Sequence, residues 1–123
     1  MWDRNRALGR LGEDVAARFL SRKGYAIVGK NVKTFLGEID IVARKKGVLV
    51  FVEVKTRKSM AFGAPYASVT KQKKRKLIQC ALCYLKMKNQ IDAAWHIDVI
   101  SVELDKSAEQ VINLEHFENA IEQ

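Results

Sequence analysis

Between residues 7 and 23 apolar positions recur every three to four residues. Leu8, Leu11, Val15 and Phe19 line one side, and Arg10, Asp14 and Arg18 the other. That spacing predicts an amphipathic helix, stopped at Gly24. The period then shortens to two. "YAIVGKNV" (25–32) predicts a first strand, and "GEIDIVARKKG" sets Ile39, Ile41 and Ala43 against Glu38, Asp40 and Val42, a second strand with a turn at Lys45–Gly47. "VLVFVEVKT" follows as its hairpin partner. Gly63 and the single proline, Pro65, mark Arg57–Val69 as a loop. A helix is expected from Thr70 to Lys88, with Leu77, Ala81, Tyr84 and Leu85 as its core stripe. "AWHIDVISVEL" (94–104) predicts a fourth strand, and "LEHFENAI" a short closing helix. The order is α-β-β-β-α-β-α. A strand regained through a helix normally lies parallel to a neighbour, so the expected fold is an α/β sandwich of one domain (1–123), a mixed central sheet flanked by helices.

The third strand carries an anomaly. Six of the seven residues Val48–Val54 are apolar, as in a strand buried on both faces, yet Glu53 and Lys55 sit at its end. Strand side chains alternate, so these two project from one side, and removing an ion pair from water costs several kcal/mol per ion. A turn centred between residues 46 and 47 sets Asp40 opposite Glu53 and Glu38 opposite Lys55. One cluster of three carboxylates and a lysine follows. Opposed like charges destabilise a sheet, and a cation between them would relieve the repulsion. Oxygen-only ligands suit Mg²⁺ or Mn²⁺ better than zinc. The plainer alternative is a cross-strand Glu38–Lys55 salt bridge with Asp40 solvated, which leaves the Asp40–Glu53 opposition unexplained.

Charge sharpens the picture. The net charge is +8, and the hydrophobic (48%) and charged (29%) fractions describe a globular chain rather than a disordered one. From Arg44 to Lys88 there are thirteen Lys or Arg residues and one acid, Glu53; from His96 to Gln123 there are seven acids and only Lys106 basic. A basic central block predicts a face for a polyanion, nucleic acid before others, against the alternative of an ordinary solubilising surface. Lys71, Lys73 and Lys74 would oppose the dipole of the helix they begin, an arrangement an anionic partner would offset. Arg57 and Lys58 lie just past the anomalous strand and could contact the same backbone. With no base-reading motif, shape or backbone recognition is expected.

No apolar run approaches the length of a membrane span, and "MWDRNRALGRLGED" lacks a signal-peptide core, so a cytoplasmic protein without a membrane partner is expected. Cys80 and Cys83 form a CxxC with no second pair or nearby His, and read as small apolar residues on a helix. His96 and Asp98 share a strand face but lack a third ligand, which favours structural hydrogen bonding. Trp95 reads as core.

"GEID" followed by "VFVEVKTR", after "LGEDVAARFL", resembles the PD-(D/E)XK endonuclease core. More closely, the chain resembles the YraN-like family of small bacterial proteins, similar to Holliday-junction resolvases. "FGAPYASVTKQKKRKL" and "HIDVI" extend the likeness over nearly the whole chain. The resemblance implies a restriction-endonuclease-like αβββαβ core. It also implies that Asp40 and Glu53 hold a metal, with Lys55 acting beside them. Glu13 matches an acidic position on the first helix that often completes such sites, though an exposed acid there is the alternative. Gln72 falls where the superfamily often has a polar site residue; a solvated glutamine is the alternative. Ile39 stands before Asp40 where the superfamily has proline. Two functions are therefore expected to compete: a Mg²⁺- or Mn²⁺-dependent endonuclease acting on structured or branched DNA in repair or recombination, and a non-catalytic nucleic-acid-binding protein on the same fold. A homodimer would suit a symmetric junction, although nothing in the sequence demands one.

Overall fold

The computed structural model describes residues 4–59 and 70–121. The elements are α1 (Arg4–Arg22), β1 (Ala26–Thr34), β2 (Gly37–Lys45), β3 (Val48–Lys58), α2 (Lys71–Met87), β4 (Trp95–Leu104) and β5 (Val111–Phe117). The strands form one sheet in the order β1-β2-β3-β4-β5. Pairing is antiparallel except between β3 and β4, which run parallel across the α2 crossover. The mixed sheet with helices on both faces matches the expected α/β, restriction-endonuclease-like core.

Two apolar clusters sandwich the sheet. On one face Ala16, Ala17 and Leu20 of α1 meet Ile41, Ala43, Val50, Val52, Ile100 and Val102. On the other, Cys80, Ala81, Tyr84 and Leu85 of α2 meet Val42, Leu49, Phe51, Ile97 and Val99. β3 is buried from both sides, which explains its run of β-branched and aromatic residues. Trp95 packs edge-on against Phe51 in the second cluster. Cys80 is a buried free thiol of that cluster and Cys83 a half-buried one. Among the described residues, no helix is long and apolar enough to cross a membrane.

Three expectations need correction. The closing helix does not form: residues 111–117 are β5, antiparallel to β4. Leu114 and Phe117, three apart, fall on opposite faces of the strand, one against each cluster; its backbone pairs the otherwise open edge of β4, and Ile121 beyond it is buried in the second cluster. The sheet-facing stripe of α1 is rotated from the expected one. Leu11 is exposed, Leu8, Val15 and Phe19 are half-buried, and the small residues Ala16 and Ala17 face the sheet with Leu20. Finally, β3 continues through Lys58, past the expected loop start; residues 60–69 of that loop lie outside the described residues.

The rotation of α1 has a steric cause. A Cβ on Gly12 would overlap the Thr56 side chain, so at Gly12 the helix backbone rests directly on β3. Gly12→Ala is expected to lower stability by about 1–3 kcal/mol despite the better helix propensity of alanine. Thermal unfolding checks this, and Thr56→Gly in the same chain should recover most of the loss.

Candidate active site

The β2–β3 ladder has the register expected from the turn, but its last pair is Ile41↔Val52. Beyond it the strands part. Ile39 points to the α2 face whereas Ile41 points to the α1 face, although both are odd-numbered. Asn31, which the β1–β2 register sets opposite Asp40, adopts φ 51°, a left-handed conformation that Asn tolerates better than most residues. At this fork Asp40 turns inward, and its Oδ2 accepts a 2.8 Å hydrogen bond from the Val54 amide. The carboxylate replaces the ladder partner that Val54 has lost.

Asp40 is thereby held within reach of both sheet faces. From the α1 side comes Glu13, whose carboxyl interacts with the side chains of Asn31 and Asp40 while its Oε1 is buried without a partner. From the α2 side comes Glu53, which is 8% exposed. Its Oε2 lies 2.8 Å from Lys73 Nζ and 3.7 Å from Lys55 Nζ. Five side chains from four elements thus meet: Glu13, Asp40, Glu53, Lys55 and Lys73.

The crowding shows in the acidities. Burial, and then the charge of Glu53, push the Asp40 carboxyl up to about 8 against the opposing pull of the Val54 amide. Burial likewise raises Glu13, although hydrogen bonds to Asn31 and Asp40 act the other way. Lys55 is lowered, first by burial and then by Lys73 beside it, with Glu53 and Asp40 opposing. Lys73 loses to burial but gains more from Glu53, and is raised.

The donor set fits a hard divalent cation. It is made of carboxylate oxygens alone, it includes an unpaired buried oxygen on Glu13, and it carries more negative charge than it holds without strain. Asp40, Glu53 and Glu13 are the residues that would hold such an ion. Among the described residues, no three acids, histidines or cysteines form a ready cage, and Lys73 supplies the countercharge to Glu53.

Other expected residues lie elsewhere. Glu38 pairs in register with Lys33 of β1, not with Lys55, because the β2–β3 ladder has ended before it. It lines a cleft of about 490 Å³ with Arg10, Glu13 and Lys33. Gln72 is exposed, in a groove along α2 with Thr70, Lys73, Arg75, Lys76 and Gln79. Lys71, Lys74 and Lys58 are exposed, while Arg57 is half-buried, 3.8 Å from Glu103 of β4. Thr70 caps α2 by accepting from the Lys73 amide. Lys73, expected to face an anionic partner, also reaches the cluster through Glu53.

Asn31 and Gly12 were missed by sequence reasoning; an Asn between strand-forming residues was the available signal. His116 was missed because its segment was expected to be helical. It donates through Nε2 to Asp98 Oδ2 (2.7 Å), while Lys23 Nζ lies 3.0 Å from its Nδ1. His96 Nδ1 (2.7 Å) and the Asn119 amide (2.8 Å) bind Asp98 Oδ1. Burial alone would raise fully buried Asp98, yet these bonds and the two imidazoles hold it below the ordinary carboxylate range. His96 and Asp98 thus serve a satisfied structural network apart from the carboxylate cluster.

Asp40 retains its proton when folded over a pH range in which the unfolded chain has lost it. The resulting penalty is absent below about pH 3.9, grows as pH rises and levels off past about 8. Asp40→Asn, which keeps an acceptor for Val54, is therefore expected to raise Tm by about 5 °C at pH 8 and to change it little at pH 4. Thermal scans at the two pH values check this.

Residues 12–102 match the model of the uncharacterised protein family UPF0102. A UPF0102 protein of Desulfosudis oleivorans is 45% identical over 114 residues, covering 92% of this chain and 93% of the relative. One from Pelotomaculum thermopropionicum is 43% identical over 120 residues (98% and 99%), and one from Dictyoglomus turgidum 40% over 116 (94% and 98%). The chain belongs to the UPF0102 family, the YraN-like family that its motifs resemble.

Proposed function

We propose that this protein is a Mg²⁺- or Mn²⁺-dependent endonuclease that hydrolyses phosphodiester bonds of structured or branched DNA. The observation that carries the reading is the meeting of Glu13, Asp40 and Glu53 with Lys55 at the β2–β3 fork. A divalent ion held there would polarise a phosphate and acidify bound water. To hold such an ion Asp40 would have to give up its proton, since a ligating carboxylate is ionised. Lys55, already lowered by its surroundings, orients the attacking water and stabilises charge developing on the phosphoryl oxygens. Lys73, which lies 2.8 Å from Glu53, would be free to meet a phosphate once an ion took its place on that carboxylate. The exposed cations of α2, Lys71 and Lys74, with Lys58 of β3, take neighbouring phosphates without reading sequence. Cutting branched DNA would be a role in repair or recombination, and a homodimer would suit two-fold junctions.

The 2.8 Å Lys73–Glu53 ion pair favours a second reading, in which lysine permanently fills the role of the cation and the protein binds nucleic acid without cutting it.

Cleavage of labelled duplex, flap and four-way-junction DNA, with Mn²⁺ and with EDTA, distinguishes the two. Metal-dependent cutting that Asp40→Ala and Glu53→Ala each slow by about a thousandfold supports the nuclease. Binding by folded protein without metal-dependent cutting of any substrate supports the second reading. Calorimetry with Mn²⁺ near pH 7 should also register release of about one proton per ion bound, absent in Asp40→Asn.

A further inference from the structure

The carboxylate cluster leaves one strongly exposed feature unexplained. The turn between β1 and β2 holds Phe35 87% exposed, with Leu36 half out of the protein beside it. An aromatic ring so placed loses the benefit of burial, about 2 kcal/mol for a residue of this kind. The turn is nonetheless tightly built. Thr34 Oγ1 donates to the Gly37 carbonyl (2.7 Å) and accepts from the amides of Leu36 and Gly37 (3.1 Å each). Gly37 has φ 152°, and a Cβ there would lie 3.0 Å from Cys80 Sγ, so the turn is pressed onto α2. Phe35 is presented by a rigid mount.

Phe35 and Leu36 form one wall of a groove of about 670 Å³, whose other wall is Leu82, Cys83 and Met87 of α2, with Lys86 and Gln79 at the rim. Gln79 also belongs to the neighbouring groove that runs past Lys76 and Arg75 to Lys73, and Lys73 contacts Glu53. An apolar pocket is thereby continuous, through a row of cations, with the carboxylate cluster. α2 itself carries six basic residues and no acid. Phe35 lies five residues before Asp40, a span of at most about 17 Å of chain.

We infer that this groove holds an unstacked base of a single-stranded segment, stacked on Phe35, while the phosphates leading from it follow Lys76 and Arg75 toward the site. Such a pairing of aromatic platform and cationic track is what single-stranded nucleic acid requires, because every base offers a π-face and every linkage a charge. The groove's cationic rim disfavours a second copy of this chain in a face-to-face contact, which would oppose Lys86 to Lys86. The inference rests on the nucleic-acid reading above and deepens it. Substrates with unpaired bases near the scissile position are preferred over continuous duplex because only they can supply the base.

The test uses the full chain in EDTA, with a single-stranded oligonucleotide carrying 2-aminopurine at successive positions and a blunt duplex of the same length, at fixed salt. Binding should quench 2-aminopurine at one position. Phe35→Ala should abolish that quench and lower the ratio of single-strand to duplex affinity about tenfold, and Phe35→Trp should restore both. Because Phe35 is exposed, an unchanged Tm is the check on folding. Unaltered quenching and ratio in Phe35→Ala, with nucleic acid still bound, overturns the inference and leaves the nuclease reading standing. Failure of the wild-type protein to bind either nucleic acid overturns both. Sedimentation showing a dimer that Phe35→Ala dissociates, without effect on the ratio, reassigns the groove to self-association and also overturns the inference.

Discussion

One hydrogen bond organises the centre of this molecule, the 2.8 Å contact from the Val54 amide to Asp40 Oδ2. Where β2 and β3 stop pairing, a buried backbone donor would lose its partner, which typically costs 1–3 kcal/mol. Asp40 removes that cost by entering the gap. In doing so it leaves the alternation of its own strand and becomes reachable from both sides of the sheet. Glu13 arrives on the helix covering one face, Glu53 belongs to the other, and neither could meet the other through an unbroken ladder. Asn31 and Gly12 serve the same arrangement: one accommodates the twist opposite Asp40, the other lets α1 approach β3 closely. The same fork that ends a regular ladder thus gathers three carboxylates.

The energetic character of the cluster follows from this geometry. Apolar strands around it deny water to the carboxylates, so Asp40 keeps its proton to about pH 8 and Lys55 is weakened as a cation. Lys73 offsets part of the charge from outside. The network is held together by the proton that Asp40 keeps and by the Lys73–Glu53 ion pair. The Asp98 network makes the contrast. There every oxygen is satisfied by His96, His116 or the Asn119 amide, and the carboxylate is buried at no comparable penalty.

Much of this was legible in the chain. The apolar run of β3 interrupted by Glu53 and Lys55, together with a turn of known position, put Asp40 beside Glu53 by register, and the two carboxylates do meet although the ladder itself stops one pair earlier. Periodicity delivered both helices and the first four strands. What register could not supply was the end of the ladder: it extrapolated an ideal hairpin to Glu38 and Lys55, whereas a frayed pair turned Glu38 toward β1. Nor could it supply β5: the three-residue spacing of Leu114 and Phe117 has the period of a helix, whereas the strand buries them on opposite faces once β4 needs an edge partner. The contact of Lys73 with Glu53 was not legible beside its expected anionic partner, because the distance between α2 and β3 is a property of packing, not of spacing.

The substitution of a strand for the closing helix also changes how the molecule meets a charged partner. β5 sits at the far edge of the sheet from β1, about 19 Å away across four strand spacings. Residues 109–121, which include β5, carry Glu109, Glu115 and Glu118 and no Lys or Arg, while α2 and its cations lie over β1 and β2. The charge that is segregated along the sequence is thus carried by different elements, acids on the last strand and its flanks and cations on α2. Unlike charge on separate elements gives a body a preferred orientation in an external field, so an acidic last strand would turn away from any polyanion that α2 approached.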